Sequence, residues 1–220
     1  MTSQLLWLLV FLLLLVVLIA ISELLHRRFK FKPEQSRKFL HVSGGLMCLL
    51  FPSIFTSHWW LLVLAMVAFI ILLITYKRKM LPSVHRTKRY SLGSVLFPIP
   101  VYLCFAFAEW QQNSLFYYIP ISLLAIADTS AEIGGNLWGH LTKKFFGGQK
   151  TLAGTLCFLF TSFIVCFIWL NVVSLFPLQE TLKIISIISV STAIAETITL
   201  HGWDNLSVPV VAVAVLWIFL

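Results

Sequence analysis

Two acidic side chains close together in an apolar stretch are the first sign of chemistry in this chain. Within residues 127–136, Asp128 and Glu132 follow a long hydrophobic run. A carboxylate at membrane depth costs roughly 3 kcal/mol unless it is paired, hydrated or used. Because residues four apart share one face of a helix, we expect both acids to point the same way.

Glycines follow these acids and bear on what the acids do. Gly134 and Gly135 allow a backbone to leave helical geometry, so the sequence predicts an opened backbone beside the carboxylates. Such a site would suit Mg²⁺ and the phosphates that accompany it. A helix end that surfaces from the membrane with two solvated acids explains the same residues, and the segment alone leaves both interpretations open.

A basic segment precedes the second apolar run. His41 lies three residues after Lys38 and four after Arg37, so the three side chains share a helix face. Such a face could hold phosphate, through the planar fork of the arginine and the point charge of the lysine. A basic flank that fixes membrane orientation is the simpler explanation when this segment is taken alone.

A glycine-rich turn precedes the sixth apolar run. Gly147 and Gly148 come shortly before Lys150 and Thr151, and free N–H groups at a helix start can bind phosphate. The segment is not a GxxxxGK[ST] loop, because Gln149 separates Gly148 from Lys150 and no strand is predicted before it. A tight loop with a lysine anchored at the membrane surface is an equal alternative.

The last polar residues lie near the end of the chain. Glu196 is one turn inside the seventh apolar run, where an unpaired acid is expensive. Asp204 and Asn205 open the final run, and at least one of them is expected to cap that helix. Glu196 is harder to explain as a structural residue, although a basic residue at the membrane surface could pair with it.

The elements that position these residues are predicted membrane helices. Of 220 residues, 60% are hydrophobic and only 11% are charged, whereas soluble proteins average about 25% charged residues. We predict an all-α polytopic transmembrane bundle forming one domain, residues 1–220. Eight spans are predicted, although seven are possible because the second, fifth and eighth are short of the roughly 20 residues that a crossing needs. They are 4–25, 40–55, 59–76, 92–108, 115–130, 152–176, 182–200 and 206–220. Pro98 and Pro100 are expected to kink the fourth.

Basic residues orient this bundle. With eight spans, one side holds 15 of the 16 Lys and Arg residues, and only Lys183 lies on the other. The positive-inside rule makes the basic side cytoplasmic and places the N-terminus outside, with residues 1–25 as an anchor helix rather than a cleaved signal peptide. The net charge of +8 thus reflects topology and an attraction to anionic lipid or nucleotide, so no nucleic-acid partner is predicted.

Other compositional features fit this interpretation. The four cysteines lie in apolar spans without CxxC spacing, so we expect buried hydrophobic side chains rather than disulfides or metal ligands. A bacterial-type plasma membrane is the expected location. All four polar segments fall on the predicted cytoplasmic side. The sequence therefore predicts a cytoplasm-facing site for a metal and an anionic soluble substrate, inside an apolar bundle that admits a lipid laterally.

The polar segments, in this order, resemble the CTP-dependent polyprenol kinase family, which includes dolichol kinase, phytol kinase and a yeast-type diacylglycerol kinase. The matching elements are Arg37-Lys38-Phe39-Leu40-His41, Asp128 to Gly139, Lys150-Thr151-Leu152-Ala153-Gly154-Thr155 and Asp204-Asn205-Leu206-Ser207-Val208-Pro209. The resemblance covers residues 37–212 and is greatest to the phytol kinase branch. The chain departs from the family at Ala127, where a glycine is usual, and at Asn136 and Leu137, where basic residues are usual. Thr151 and Thr155 replace serines.

This resemblance implies transfer of the γ-phosphoryl group of CTP to the hydroxyl of an isoprenoid alcohol or diacylglycerol at the cytoplasmic face, with Mg²⁺ as cofactor. The implied metal ligands are Asp128, Glu132 and Glu196. The implied catalytic residues are Asp128, Glu132, Lys150 and His41. Nucleotide binding is implied for Arg37, Lys38, Gly147, Gly148, Lys150, Thr151, Gly154, Thr155, Asp204 and Asn205.

Two other functions remain open at this point. A phosphatidate cytidylyltransferase is also a polytopic membrane enzyme with cytoplasmic acids and Mg²⁺, but it releases pyrophosphate and forms a CDP-lipid. A transporter could use acids within the membrane and broken helices, although no inverted repeat is visible and most of the acids lie near one face. The oligomeric state is not predicted.

Overall fold

The computed structural model describes residues 2–85, 91–141, 143–145, 150–173 and 177–220. Helices dominate this part of the chain. The α-helices are α1 (Thr2–Arg27), α2 (Pro33–Cys48), α3 (Phe51–Ile54), α4 (His58–Lys77), α5 (Pro82–His85), α6 (Gly93–Leu96), α7 (Pro98–Trp110), α8 (Leu115–Ser122), α9 (Asp128–Trp138), α10 (Leu152–Val173), α11 (Leu178–Ile198) and α12 (Asp204–Phe219). A π-helical turn, Leu123–Ala127, joins α8 to α9, and a 3₁₀ turn, Gly139–Leu141, follows α9.

The predicted helical membrane bundle is confirmed. Five helical segments of the described chain are long and apolar enough to cross a membrane, namely Ser3–Arg27, His58–Lys77, Gly93–Trp110, Leu152–Val173 and Leu178–Ile198. Both α2 and α12 have 16 residues, so each extends roughly 24 Å, less than the apolar thickness of a bilayer. The count of eight spans therefore stays a prediction.

The centre of the bundle is α8 with the π-helical turn that follows it. Tyr117, Ile121 and Leu124 are fully buried, and α8 packs against α2, α7, α10 and α12. A helix that is hydrophobic on all sides is stable only when other helices surround it. The fifth predicted span is thus the core of the molecule, and its buried end carries Asp128 into the interior.

Two local departures from a plain helical bundle bear on the site. Lys144–Phe145 and Lys150–Thr151 form a short antiparallel pair of strands, β1 and β2, so Lys150 lies in a strand directly before α10 and not in the helix start itself. The fourth span is interrupted at Phe97, immediately before Pro98. Proline has no N–H to donate, so the helical hydrogen-bond pattern is broken at this point. The kink expected from the two prolines stays a prediction.

The cysteines behave as expected for apolar side chains. All four are free thiols, and Cys48, Cys104 and Cys166 are buried while Cys157 is partly buried.

Candidate functional site: a buried polar cluster

The first turn and a half of α9 brings its two acids against α2. Lys38 Nζ lies 2.7 Å from Asp128 Oδ2 and 3.0 Å from Glu132 Oε2. Arg37 Nη2 donates to Glu132 Oε2 at 3.0 Å. The i, i+4 spacing therefore placed both acids on one face, as predicted, and that face meets the basic segment of α2. Burial alone would lower the pKa of Lys38, but the two carboxylates outweigh it and raise that pKa.

His41 also lies beside Asp128, where it contacts the π-helical turn. In an α-helix the Asp128 N–H would bond to the Leu124 carbonyl, but here it bonds to the carbonyl of Leu123. The Leu124 carbonyl instead accepts a hydrogen bond of 2.8 Å from His41 Nε2. His41 Nε2 also lies 3.5 Å from Asp128 Oδ2, and its ring packs edge-on against Phe97.

Lys150 joins the acids of α11 and α12. Its Nζ lies 2.6 Å from Glu196 Oε1 and 3.0 Å from Asp204 Oδ2. Only 5% of the Glu196 side chain and 15% of the Lys150 side chain is exposed. Burial alone would lower the pKa of Lys150, but Asp204 and Glu196 outweigh it and raise that pKa above its ordinary value. Glu196 is therefore paired, which explains how an acid is tolerated inside an apolar helix.

Three carboxylates connect the two groups of ion pairs. One oxygen each of Asp128, Glu196 and Asp204 lies within 4.8 Å of the others. Oxygen ligands of this kind are the ones that Mg²⁺ prefers. We call the whole assembly the polar cluster; its members are Arg37, Lys38, His41, Asp128, Glu132, Lys150, Glu196 and Asp204.

The charges of the polar cluster do not balance. Three cationic side chains, from Arg37, Lys38 and Lys150, face four carboxylates. With His41 neutral, the formal charge is −1. Because a buried uncompensated charge is costly, the cluster favours a further cation. The three carboxylates that lie close together are where a divalent ion would find oxygen ligands.

The expected opening of the backbone after Glu132 is wrong. The helix α9 continues through Gly134 and Gly135 to Trp138. A Cβ atom at Gly134 would clash with Cys157, and one at Gly135 would lie 3.0 Å from Thr151 Oγ1. These glycines therefore let α9 pack closely against the start of α10, and the backbone departs from α geometry before Asp128 instead.

The residues that follow Lys150 cap α10 and pack it against α9 and α11. Thr151 Oγ1 accepts the Gly154 N–H at 3.1 Å and so caps α10. A Cβ atom at Gly154 would lie 2.8 Å from the Ala131 carbonyl oxygen, so this glycine permits contact with α9. Thr155 Oγ1 lies 3.0 Å from Thr197 Oγ1 on α11. The predicted phosphate contacts of Gly147 and Gly148 lie outside the described residues.

Asp204 and Asn205 divide two tasks between them. The side chain of Trp203, the residue before α12, makes no cap hydrogen bond. The expected side-chain bond to the start of the helix comes from Asp204. Asp204 Oδ1 accepts the Asn205 N–H at 3.1 Å, while its other oxygen faces Lys150. The buried Asn205 amide donates to the Gly93 carbonyl at 2.7 Å, which fastens α12 to α6.

Sequence reasoning missed several residues that position the cluster. Leu124 supplies a backbone carbonyl and Phe97 an aromatic wall for His41, and neither residue type carries a chemical signal. Gly202 has a φ of +88°, and a Cβ atom there would clash with Gly93. A glycine just after an apolar run is the usual sign of such a left-handed residue, so this position was open to prediction.

The fold and the cluster define an integral-membrane helical protein with a largely buried polar site that is rich in carboxylates. The chain is 27% identical over 203 residues to a phytol kinase of Synechocystis sp., which covers 89% of this chain and 84% of that relative. It is also 36% identical over 88 residues to a dolichol kinase of Saccharomyces cerevisiae, which covers 39% of this chain and 16% of the yeast protein. The resemblance to the polyprenol kinase family, on its phytol kinase side, is thereby confirmed. No family model and no solved structure matches the chain.

Proposed function

We propose that this protein is a membrane lipid-alcohol kinase that transfers the γ-phosphoryl group of CTP to the hydroxyl of an isoprenoid alcohol or diacylglycerol at the cytoplasmic face. The observation that carries the proposal is the polar cluster, in which four helices and a strand bring three cations and four carboxylates together inside an apolar bundle. The names of the two relatives, a phytol kinase and a dolichol kinase, support a lipid-alcohol kinase.

Phosphoryl transfer needs positioning and charge neutralisation more than covalent catalysis. Asp128, Glu196 and Asp204 would hold Mg²⁺, because their oxygens lie within 4.8 Å of one another. Bound Mg²⁺ would neutralise the charge that develops on the transferred phosphoryl group. This assignment keeps Asp128 and Glu196 from the sequence prediction and exchanges Glu132 for Asp204.

Glu132 then has a different proposed task. It lies 3.0 Å from both Arg37 Nη2 and Lys38 Nζ, on the α2 side of the cluster. From there its carboxylate would accept the proton of the lipid hydroxyl, with His41 as the other polar group that orients the lipid head. Glu132 is outside the proposed metal ligands, and it would become available as a general base when Arg37 and Lys38 bind nucleotide phosphates instead.

The cationic residues would bind the nucleotide phosphates. Arg37 Nε is buried and has no hydrogen-bond partner among the described residues. A buried guanidinium N–H without an acceptor is costly, so this group is prepared for an anionic oxygen. Lys38 and Lys150, now neutralised by carboxylates, would turn to phosphate oxygens when Mg²⁺ takes over those carboxylates.

The test is phosphoryl transfer from γ-labelled CTP or ATP to a panel of lipid alcohols, with purified protein in detergent and Mg²⁺. Label in a lipid monophosphate with CTP is the expected result, and it names the acceptor. Pyrophosphate released from CTP when phosphatidate is supplied would replace the kinase with a cytidylyltransferase. If neither product forms, both enzyme assignments are contradicted and a transporter is favoured.

The variant Asp128→Asn tests the site itself. We expect it to lower kcat by at least ~10³, because it removes a charged group at the reacting centre while keeping the shape of the side chain. Glu180→Gln is the matched control, since Glu180 is exposed at the far end of α11. Wild-type activity in Asp128→Asn would overturn the assignment.

A further inference from the structure

An apolar cavity lies beside the polar cluster, between α1, α2, α4 and α7. The space between these helices is about 510 Å³, part of which is open to the surroundings. Its wall is wholly apolar and includes Gly44, Met47, Leu61, Leu72 and Phe97. None of these residues has a task in the chemistry proposed above.

The cavity lies next to the polar cluster, with the Phe97 ring between the cavity and His41. Phe97 lines it, and the same ring packs edge-on against His41, with 5.1 Å between the ring centres. Gly44 lies three residues, or roughly 4.5 Å, beyond His41 on α2. His41 in turn lies 3.5 Å from Asp128. One end of the cavity is therefore within a few ångströms of the polar cluster.

The cavity is long and parallel to the helices. Its wall on α4 runs from Leu72 to Leu61, which is roughly 16 Å along the helix axis. Leu72 packs in a small core cluster with Leu40, near the basic end of α2, whereas Leu61 packs in the main core with Phe51, beyond the other end of α2. An extended chain fits this shape better than a compact ligand.

We propose that this cavity binds the isoprenoid tail of the acceptor alcohol, with the hydroxyl at its His41 end; the proposal rests on the lipid-alcohol kinase function. In a bilayer the tail is already surrounded by hydrocarbon, so the cavity gains little by excluding water. Its contribution comes from van der Waals packing and from fixing the hydroxyl beside the polar cluster. A tail that fills the cavity is therefore the one that is phosphorylated efficiently.

Gly44 gives a direct test. A Cβ atom at this position meets nothing within 4 Å, so a larger side chain enters the cavity without disturbing the helix contacts. In the series Gly44→Ala, Gly44→Val and Gly44→Leu, KM for phytol should rise progressively, by roughly tenfold for leucine. Leu46→Phe is the matched control, because Leu46 is exposed on the outer side of α2. Unchanged KM for phytol in folded Gly44→Leu would overturn the proposal.

A second readout does not depend on activity. A phytol analogue with a diazirine in its tail should label cavity residues such as Met47 and Leu61 on irradiation, and Gly44→Leu should remove this labelling while Leu46→Phe keeps it. Labelling of the outer surface, or competition by phosphatidylglycerol as strong as that by phytol, would overturn the proposal. Cavity labelling without phosphoryl transfer would support the cavity and contradict the kinase function, so the two failures are distinguishable.

Discussion

Lys150 compensates two acids that would otherwise be unpaired inside the bundle. Replacement by methionine keeps the length of the side chain but leaves Glu196 and Asp204 without their cation. Removing one partner of a buried ion pair costs about 3 kcal/mol, which should lower Tm by roughly 6–12 °C in the absence of Mg²⁺. Lys183→Met, far from the cluster, is the control.

The same variant tests the metal assignment. Because Mg²⁺ would supply the missing positive charge, Lys150→Met should gain more Tm from added Mg²⁺ than the wild-type protein does. At about 100 times Kd the ion would restore roughly 2.7 kcal/mol. Thermal unfolding in detergent over a range of Mg²⁺ concentrations measures this, and an equal gain in both proteins would contradict a Mg²⁺ site at these carboxylates.

The residue scale also shows what spacing alone can predict. The i, i+4 relation put Asp128 and Glu132 on one face, and their cost in an apolar run indicated that they are paired, hydrated or used. Spacing does not reveal which cations face which acids, since that depends on the packing of α2, α9 and α10. For this reason Asp204 was predicted as a nucleotide ligand, and its closeness to Asp128 and Glu196 appeared only in the structure.

At the scale of elements, two neighbouring glycines of α2 have opposite surroundings. Gly44 faces open space, so Gly44→Ala should raise the free energy of unfolding by about 1 kcal/mol through helix propensity. A Cβ atom at Gly45 would clash with Ala125, where α2 crosses the π-helical turn. The variant Gly45→Ala should therefore lower the free energy of unfolding by about 1–3 kcal/mol. Thermal unfolding of both variants measures the difference. A higher Tm for Gly45→Ala would show that α2 and the π-helical turn are not in tight contact.

His85 joins three elements at the basic end of the bundle. Its ring nitrogens lie 2.9 Å from Thr75 Oγ1 on α4 and 3.0 Å from Ser94 Oγ on α6. Burial lowers its pKa from 6.5 to about 4. The unfolded chain therefore binds more protons than the folded chain between these values, so the contribution of His85 to stability is complete above pH 6.5 and is lost as the pH falls towards 4.

A glutamine at position 85 keeps hydrogen-bonding groups without this titration. Tm of the wild-type protein should fall more steeply than Tm of His85→Gln between pH 6.5 and 4. The exposed His140, replaced by glutamine in the same way, should leave the slope unchanged. Parallel pH profiles for the wild type and His85→Gln would show that His85 is not held neutral by its surroundings.

The role of a glycine within a helix is what the sequence could not predict. Hydropathy located most of the helices within a few residues, because apolar runs of this length have few alternatives in a membrane. The exceptions are α2, which begins at Pro33 and not at residue 40, and α9, which continues to Trp138 and not only to residue 130. Gly134 and Gly154 were interpreted as points of flexibility or phosphate contact, yet both lie inside helices and admit a neighbouring helix. A glycine that opens a backbone and one that permits close packing look the same in a sequence, since only the partner distinguishes them.

At the scale of the whole molecule, contacts between connecting segments agree with the predicted topology. At the basic end, the Leu92 N–H donates to the His201 carbonyl, and Lys150 pairs with Asp204. At the opposite end, Gln4 donates to the Ile54 carbonyl, and Glu109 accepts the His58 N–H. The eight-span topology places the two segments that each contact joins on the same side of the membrane. Losing one of the spans between two joined segments would place them on opposite sides.

The positive-inside rule predicts that the basic end faces the cytoplasm and that the N-terminus lies outside. Single cysteines at Lys30 and Glu180, treated with a membrane-impermeant maleimide, test it, with the wild-type protein as control for the four native thiols. In intact cells we expect Glu180→Cys to be labelled and Lys30→Cys to react only after permeabilisation. The reverse pattern would place the polar cluster on the outer face, away from cellular CTP, and labelling of both positions in intact cells would contradict the eight-span topology. The orientation therefore decides whether the proposed nucleotide can reach the site at all.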